Sequence, residues 1–466
     1  MRGMADKSLE VNLECVNDYS YLYEPTPEQR ENIEKITREV ISKINEVIEE
    51  LGLRGVIREV SVQGSFARDT WLPEDTDVDV FLLFDKSFDF EQMRKMTELI
   101  SGKVAVKLGA SIETRFASHP YYVIGFNRVE VEIVPAYKIE DIREMRTAVD
   151  RTPFHTSYIT SSLLRKPWLK KEIRVLKVLL KRLGIYGAEL EVRGFSGYLS
   201  EVLVIAYDGL VPLLEAASRW IPWKVLIPHD APRSLIGTAP LIVLDPVDLR
   251  RNAAAAVGLE QLSKFIAFSK IFVENPEILC CMLEGKREVP DYMLDENIII
   301  LRLLSHPPLS DDALAGKLRR ILDSTRNTLE RNGFNVLRGL MVHARRDFFL
   351  VFQLETSVLP PLEKKIGPPV WHTNSKNFLR KWASHTPAPF IDGDRWVVIS
   401  ERKIRKAEEV IMNALKVYKG FEWEIMRGEE SYWKIAEDEY REIKGVLAGS
   451  EIWIYCLKKY VSGHKL

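Results

Sequence analysis

Two segments of the chain alternate acidic residues with apolar, mostly β-branched ones. They are Asp77–Leu83 (DVDVFLL) and Val129–Val134 (VEVEIV). Successive side chains of a strand point to opposite faces, so Asp77 and Asp79 would share one face and the valines the other. The second segment repeats the pattern with two glutamates. A helix would place residues two apart on different sides, so the pattern predicts two strands, each with paired carboxylates on one face.

Carboxylates held this close have a physical consequence. Like charges raise each other's proton affinity and disfavour the fold unless a dication lies between them. Asp77, Asp79 and Glu132 on neighbouring strands would suit two Mg²⁺ ions about 4 Å apart, an arrangement that supports in-line displacement at a phosphate without a covalent nucleophile. The alternative from the residues alone is a strand that starts with two solvated acids.

A Gly-Ser turn precedes the first acidic segment. Residues 56 to 63 (VIREVSVQ) are typical of a strand, which ends at Gly64 and Ser65, where a short helix is predicted to begin. Backbone N–H groups at such a turn can face an anion. The alternative is a plain turn with a helix cap.

At 466 residues, the chain is long enough for about three domains. Residues 1–150 combine a helix that begins after the N-cap Thr26 with strands and a hairpin turned at Asn127. Helical periodicity dominates residues 151–275, and residues 276–466 alternate polar helices with strand-like runs. The predicted fold is α+β and multidomain, with a small mixed-sheet head, a helical central domain and an α+β C-terminal region.

Composition excludes some classes of protein. Apolar residues make up 46% and charged residues 29% of the chain, and no segment reaches the ~18 continuous apolar residues of a membrane span, so no membrane protein is expected. The first ten residues hold no apolar block like that of a signal peptide, so we expect a cytoplasmic location. The formal net charge of -1 argues neither for nor against nucleic-acid binding.

The four cysteines follow neither a disulfide framework nor a zinc-binding pattern. Cys280 and Cys281 are adjacent, whereas Cys15 and Cys456 stand alone. We therefore predict buried or inert thiols.

Several motifs resemble those of known enzymes. Gly64-Ser65 with Ala67-Arg68, then Asp77-x-Asp79 and residues 131–135 (VEIVP), resemble the polymerase-β-type nucleotidyltransferase superfamily. More narrowly, the chain from about residue 20 to 270 resembles archaeal-type (class I) CCA-adding enzymes. This second resemblance is carried by residues 148–155 (AVDRTPFH), 184–189 (GIYGAE), 192–198 (VRGFSGY) and 245–248 (DPVD) with Arg251-Asn252.

The resemblance implies a tRNA nucleotidyltransferase that builds or repairs the 3′-terminal CCA of tRNA from CTP and ATP without a template. It implies that Asp77, Asp79 and Glu132 are catalytic and hold Mg²⁺. It also implies nucleotide-binding roles, for Ser65 and Arg68 at the triphosphate, for Thr152, His155, Lys177 and Tyr186 in the nucleotide pocket, and for Arg251 in selection of the incoming base. RNA binding by the C-terminal region and a homodimer follow from the family alone.

Glu132 departs from the family, which usually has aspartate at this position. The additional methylene moves the carboxylate by roughly 1.5 Å, a distance that matters for catalytic alignment. This departure leaves a catalytically silent RNA-binding scaffold as one alternative. A second alternative is a poly(A)-polymerase-like RNA adenylyltransferase, which shares the carboxylates and the Gly-Ser turn.

Basic residues with nearby tryptophans predict further RNA contacts, with plain solvated surface as the alternative. The helical run Arg174, Lys177 and Lys181 can likewise be read as a solvated face. The two tryptophan-containing patches comprise Arg165, Lys166, Lys170 and Lys171 around Trp168, and Trp371, His372, Lys376, Arg380, Lys381 and Trp382 in the C-terminal region.

Overall fold

The computed structural model describes residues 14–75, 77–116, 120–190, 192–286, 292–309, 311–345, 347–449 and 452–461. The chain divides into two compact units. One comprises Met1–Glu288 with Glu451–Leu466, and the other comprises Val289–Ser450.

The first unit begins with a head built on a five-stranded sheet. The strand order is β1-β2-β5-β4-β3, in which β2 and β5 are parallel and all other neighbours are antiparallel. The elements are, in chain order, α1 (Glu14–Asp18), α2 (Pro27–Glu50), β1 (Ile57–Gln63), α3 (Gly64–Ala67), β2 (Asp77–Phe84), α4 (Phe90–Leu108), β3 (Ser111–Phe116), β4 (Pro120–Phe126) and β5 (Val129–Tyr137).

Helices α2 and α4 cover one face of this sheet. The predicted start of α2 is confirmed: Thr26 Oγ1 accepts the Gln29 backbone N–H at 3.2 Å, and Gln29 Oε1 accepts the Thr26 N–H at 2.9 Å. Val80 of β2 and Ile133 of β5 are fully buried in the core beneath the two helices. Strand alternation therefore directs the acidic residues of both strands to the opposite face.

The second part of the first unit is mainly helical. Its elements are α5 (Thr152–Arg165), α6 (Leu169–Arg182), α7 (Gly197–Tyr207), α8 (Leu210–Ala217), β6 (Val225–Ile227), β7 (Leu241–Asp245), β8 (Asp248–Asn252), α9 (Leu259–Glu274) and α10 (Ile278–Glu284). The helices pack around one apolar core that includes Leu176, Leu203 and Phe265. A small sheet of order β6-β7-β8 lies among the helices, with β6 and β7 parallel.

The second unit contains two antiparallel sheets, of orders β10-β11-β9-β15 and β12-β14-β13. Helices α11 and α13 share an apolar core with the four-stranded sheet. The elements are β9 (Ile298–Ser305), α11 (Asp311–Arg331), β10 (Val336–Ala344), β11 (Asp347–Leu354), β12 (Leu362–Pro369), α12 (Ser375–Trp382), β13 (Phe390–Asp392), β14 (Arg395–Glu401), α13 (Ala407–Leu415), β15 (Glu422–Arg427), α14 (Gly428–Lys434) and α15 (Glu437–Ala448).

A last helix, α16 (Ile452–Val461), belongs to the first unit and packs against α10. Cys281 of α10 and Cys456 of α16 form a disulfide. The prediction of inert thiols was wrong for this pair, because the two cysteines lie 175 residues apart and only the return of the chain to the first unit brings them together.

The predicted fold class is confirmed: the molecule is α+β and multidomain, with a mixed-sheet head, a helical second part and an α+β C-terminal region. The boundaries near residues 150 and 275 stay predictions. Among the described residues, no single helix has the length and apolar composition of a membrane span. Helices α7 and α8 pass that test only as a pair bent by 93°, and both contribute to the apolar core.

Candidate active site

Asp77, Asp79 and Glu132 lie on the open face of the head sheet. In the parallel pairing of β2 with β5, Asp79 lies opposite Glu132 and Asp77 lies opposite Glu130. Arg115 of β3 neutralises Glu130 through two hydrogen bonds, of 2.7 and 3.0 Å. Within the described residues, no cation forms such a pair with the other three acids. The sheet therefore presents three uncompensated carboxylates side by side.

The electrostatics of this group favour a cation. Burial raises the pKa of Asp79 to about 6, with a further contribution from the charge of Asp77 and an opposing one from Arg68. Burial and the charges of Asp79 and Asp77 raise the pKa of Glu132 to about 7. Burial and neighbouring acids also raise the pKa of Asp77. Each carboxylate is therefore poorly stabilised as an anion by the protein alone.

The Gly-Ser turn closes one side of the carboxylate group. Gly64 follows β1 with a φ of +69°, and a Cβ at this position would lie 1.7 Å from Asp79 Oδ2. Only glycine fits here, because both the left-handed backbone and the close approach exclude a side chain. Ser65 is the next residue, so α3 begins directly beside Asp79.

Arg68, predicted to contact a triphosphate, forms a buried ion cluster with Lys177. Glu201 of α7 is fully buried and forms an ion pair with each: Arg68 Nε lies 2.9 Å from its Oε2, and Lys177 Nζ lies 3.4 Å from its Oε1. Thr70 donates its hydroxyl to Glu201, and its carbonyl accepts from Lys177 at 2.9 Å. The head and the helical part thus share one charge cluster.

Tyr186 and Thr152 lie near this cluster. A Cβ at Gly197 would be 3.0 Å from the Tyr186 hydroxyl and 3.7 Å from Lys177 Nζ, so both groups crowd the start of α7. Burial raises the pKa of Tyr186, which keeps its hydroxyl protonated. Thr152 begins α5, one helical turn before Thr156, whose hydroxyl accepts from Arg68 at 3.5 Å.

His155 and Arg251 meet at Asp245, the last residue of β7. His155 Nε2 and Arg251 Nη1 each lie 2.9 Å from Asp245 Oδ2, and the Tyr198 hydroxyl donates to Asp245 Oδ1 at 2.8 Å. The rings of His155 and Tyr198 are stacked with centroids 3.8 Å apart. Burial lowers the pKa of His155, and the surrounding donors lower the pKa of Asp245 despite its burial.

The comparisons with known proteins match all three parts of the chain. Residues 41–155 match the nucleotidyltransferase domain, residues 171–281 the second domain of tRNA nucleotidyltransferase, and residues 297–438 the C-terminal domain of the CCA-adding enzyme. The CCA-adding enzyme of Pyrobaculum islandicum is 33% identical over 87% of this chain and 93% of its own. The CCA-adding enzyme of Saccharolobus shibatae is 32% identical over 93% of this chain and 98% of its own.

The chain belongs to the CCA-adding enzyme family. It is a tRNA nucleotidyltransferase of the polymerase-β type, as its motifs predicted. Among solved structures, a cytoplasmic RNA terminal U-transferase is similar at 11% identity, covering 58% of this chain and 97% of its own with a TM-score of 0.43. CdnC of E. coli MS115-1 with ATP is similar at 13% identity, covering 58% of this chain and 90% of its own with a TM-score of 0.42.

In this CCA-adding enzyme, the solvated-face interpretation of α6 was wrong for two of its three cations. Arg174 and Lys177 side chains are each only 2% exposed. Arg174 donates to the carbonyls of Trp71 at 3.2 Å and Asp69 at 2.7 Å. The buried cations of α6 therefore stabilise the packing of the helical part against the head.

Two of the four cations in the basic patch around Trp168 are neutralised. Lys166 pairs with Asp208 at 2.6 Å, and Lys170 pairs with Asp69 at 2.9 Å. Trp168 itself is 56% exposed. RNA contact at this surface stays a prediction, as it does for the C-terminal patch, in which Trp371 is 73% exposed.

Three residues that organise the site were absent from the predicted set: Tyr198, Glu201 and Asp245. A signal existed for Glu201, the one acid in the otherwise apolar helix GYLSEVLVIAY. A lone charge on a buried helix implies a buried partner. Tyr198 and Asp245 stand in motifs that resemble the family, but nothing in the sequence alone pairs them.

Proposed function

We propose that this CCA-adding enzyme holds Mg²⁺ with Asp77, Asp79 and Glu132 and adds nucleotides from CTP and ATP to the tRNA 3′ end. The observation that supports this proposal is the register of β2 and β5, which aligns uncompensated carboxylates on one open face.

The donor set fits magnesium, because all three ligands are carboxylates and Mg²⁺ prefers oxygen. A dication would also relieve the burial and repulsion that raise the pKa values of Asp79 and Glu132. In the described residues, no cluster of three ligands is closed tightly enough to hold a metal by itself. This is compatible with Mg²⁺, which usually keeps water and substrate phosphate among its ligands.

The reaction forms a bond between the RNA 3′ oxygen and the α-phosphorus of the nucleotide and releases pyrophosphate. The bound metal would lower the pKa of the 3′ hydroxyl and offset the charge of the triphosphate. Arg68 supplies positive charge close to Asp79, and Glu201 pairs with both Arg68 and Lys177. Gly64, which has no side chain, lets the Asp79 carboxylate lie directly against the turn at the start of α3.

The cluster around Asp245 is suited to hold the nucleoside. Asp245 orients both the His155 ring and the Arg251 guanidinium, and His155 stacks on Tyr198. Donors fixed in this way can discriminate bases, because a mismatched edge leaves a buried polar group unpaired. We assign base selection to Arg251, and nucleotide contacts to Ser65, Thr152 and Tyr186. The homodimer remains a proposal based on the family, and the cytoplasmic location remains a proposal based on the sequence.

The test uses the full chain with tRNA that lacks CCA and labelled CTP and ATP. We expect Mg²⁺-dependent addition of C, C and A followed by a stop. Asp79→Asn should abolish incorporation while tRNA affinity stays within threefold, because the carboxylates serve the reaction rather than RNA binding. Absence of incorporation by the natural chain with any divalent ion would refute the metal assignment, and loss of tRNA binding in Asp79→Asn would refute the division of roles.

A further inference from the structure

A pocket of about 500 Å³ lies in the helical part, outside the predicted active-site residues. Its rim carries Arg219, Lys224, His229 and Arg233, all exposed. In the part of the chain that the structure describes, none of the four is held in an ion pair. The pocket is therefore strongly basic.

This arrangement differs from that of three lysines on and beside α6. On and beside α6, Lys166, Lys170 and Lys181 each pair with a carboxylate at 2.6 to 2.9 Å. Paired cations have little remaining attraction for a polyanion. The cations Arg219, Lys224 and Arg233 of the pocket rim keep their full charge, so phosphate groups that bind them can release their counterions.

The pocket has a rigid apolar floor. Trp220 is 8% exposed and packs against Tyr207 and Phe265, with ring centroids 6.2 and 5.8 Å apart. Ile221 and Ile236 line the pocket and are 56% and 41% exposed. An apolar floor beneath a cationic rim suits a nucleotide unit, whose sugar and base contact apolar groups while its phosphate meets the cations.

The pocket lies on the same small sheet as Asp245. Leu226 of β6 lines the pocket and pairs in register with Ile242 of β7, three residues before Asp245. At 3.3 Å per residue, this separation is about 10 Å along the strand. A polynucleotide in the pocket would therefore lie within a few nucleotides of the site where the nucleoside is proposed to bind.

We propose that this pocket binds the sugar-phosphate backbone of the tRNA substrate close to its growing 3′ end. The proposal rests on the tRNA substrate of the family. It assigns the RNA strand to the exposed pocket cations, which are separate from the buried Arg68 and Lys177 of the proposed active site. The shared ligand chemistry is phosphate, so binding of RNA and of free nucleotide must be measured separately.

The decisive variant is the triple change Arg219→Gln, Lys224→Gln and Arg233→Gln. The expected result is at least a tenfold rise in the tRNA Kd, measured by fluorescence anisotropy without nucleotide, and an equal rise in the tRNA KM. Each lost phosphate contact lowers the slope of log K against log salt by about 0.7 to 0.9, so the slope should fall by about 2 to 3. The KM for CTP should stay within twofold.

A matched control removes three exposed lysines from the head helices, with Lys35→Gln, Lys95→Gln and Lys103→Gln. Thermal melting of both triple variants establishes that they fold. A loss of tRNA affinity no greater than in the control would overturn the proposal, and a selective rise in the CTP KM would assign the pocket to free nucleotide instead. Because tRNA binding is measured without turnover, the result holds whether or not the metal assignment is correct.

Discussion

Asp79 of β2 and Glu132 of β5 lie side by side on adjacent parallel strands. Among the described residues, neither carboxylate forms an ion pair with a cation. Burial and the charge of Asp77 raise the pKa of Asp79 to about 6, and burial with the charges of Asp79 and Asp77 raises that of Glu132 to about 7. A pair in this state lowers the stability of the fold at neutral pH unless a dication binds. Active sites commonly retain such groups because catalysis requires them.

The first prediction concerns the length of the side chain at position 132. Glu132→Asp shortens the reach by roughly 1.5 Å while keeping the charge, and we expect kcat within tenfold of the natural enzyme. Glu132→Gln keeps the length but removes the charge, and we expect kcat to fall at least 100-fold. Single-turnover incorporation of CTP measures both. If the aspartate variant were active and the natural chain inactive, the natural chain would be a silent scaffold.

The second prediction concerns pH in the absence of metal. Because the pKa values of Asp79 and Glu132 in the fold lie above their ordinary values near 4, these groups favour folding at low pH, and the benefit is lost as pH rises through 6 to 7. With EDTA, Asp79→Asn should therefore have a higher Tm than the natural enzyme at pH 8, and the difference should shrink toward pH 5. Mg²⁺ should raise the natural Tm more at pH 8 than at pH 5.5. A difference in Tm that does not change with pH would contradict this account.

The head could be predicted from sequence because its signals are local. The alternation in residues 77 to 83 predicts a strand with both acids on one face, and the cap at Thr26 predicts the helix start at which α2 begins. The positive φ values of Asn127 and Arg128 match a two-residue hairpin turn at the predicted place. Each of these features depends on neighbours within a few residues.

The clusters around Glu201 and Asp245 could not be predicted in the same way. Thr70 and Glu201 lie 131 residues apart, and His155 and Asp245 lie 90 apart. The first pair forms only when the head packs on the helical part, and the second only when α5 and β7 come together within the helical part. No local periodicity encodes either packing. The short strands β6 to β8 were missed for a related reason, since three to five apolar residues do not distinguish a strand from a buried helix.

The third prediction concerns the Cys281–Cys456 disulfide, which links α16 to α10. In the sequence, all residues of the second unit lie between these two cysteines. Cross-linking residues this far apart restricts the unfolded chain, so Cys456→Ser should lower the free energy of unfolding by about 2–4 kcal/mol. Chemical denaturation measures the loss. Peptide mapping without reductant should recover the linked peptides, and their absence from the native protein would disprove the bond.

The fourth prediction concerns Glu201, the fully buried partner of Arg68 and Lys177. Glu201→Gln leaves two buried cations without an anion, so stability should fall by about 3–5 kcal/mol. Pyrophosphate should raise the Tm of this variant by more than it raises the Tm of the natural enzyme, because it supplies the missing negative charge. The control is Glu98→Gln, which breaks an exposed pair 3.9 Å long and should cost under about 1 kcal/mol. Equal rescue in both variants would show that Glu201 has no link to the phosphate site.

The fifth prediction separates Asp245 from its neighbour Asp248. Asp245 holds His155, Tyr198 and Arg251 at once, so Asp245→Asn should release Arg251 and lower kcat/KM for CTP and ATP at least tenfold, with tRNA affinity unchanged. Asp248 pairs instead with Arg250, whose side chain is 70% exposed, and Asp248→Asn should stay within threefold of the natural enzyme. Misincorporation is the more specific measurement, since a loosened Arg251 should also reduce discrimination between C and A. If Asp245→Asn kept its discrimination between C and A but lost much of its stability, Asp245 would have only a structural role.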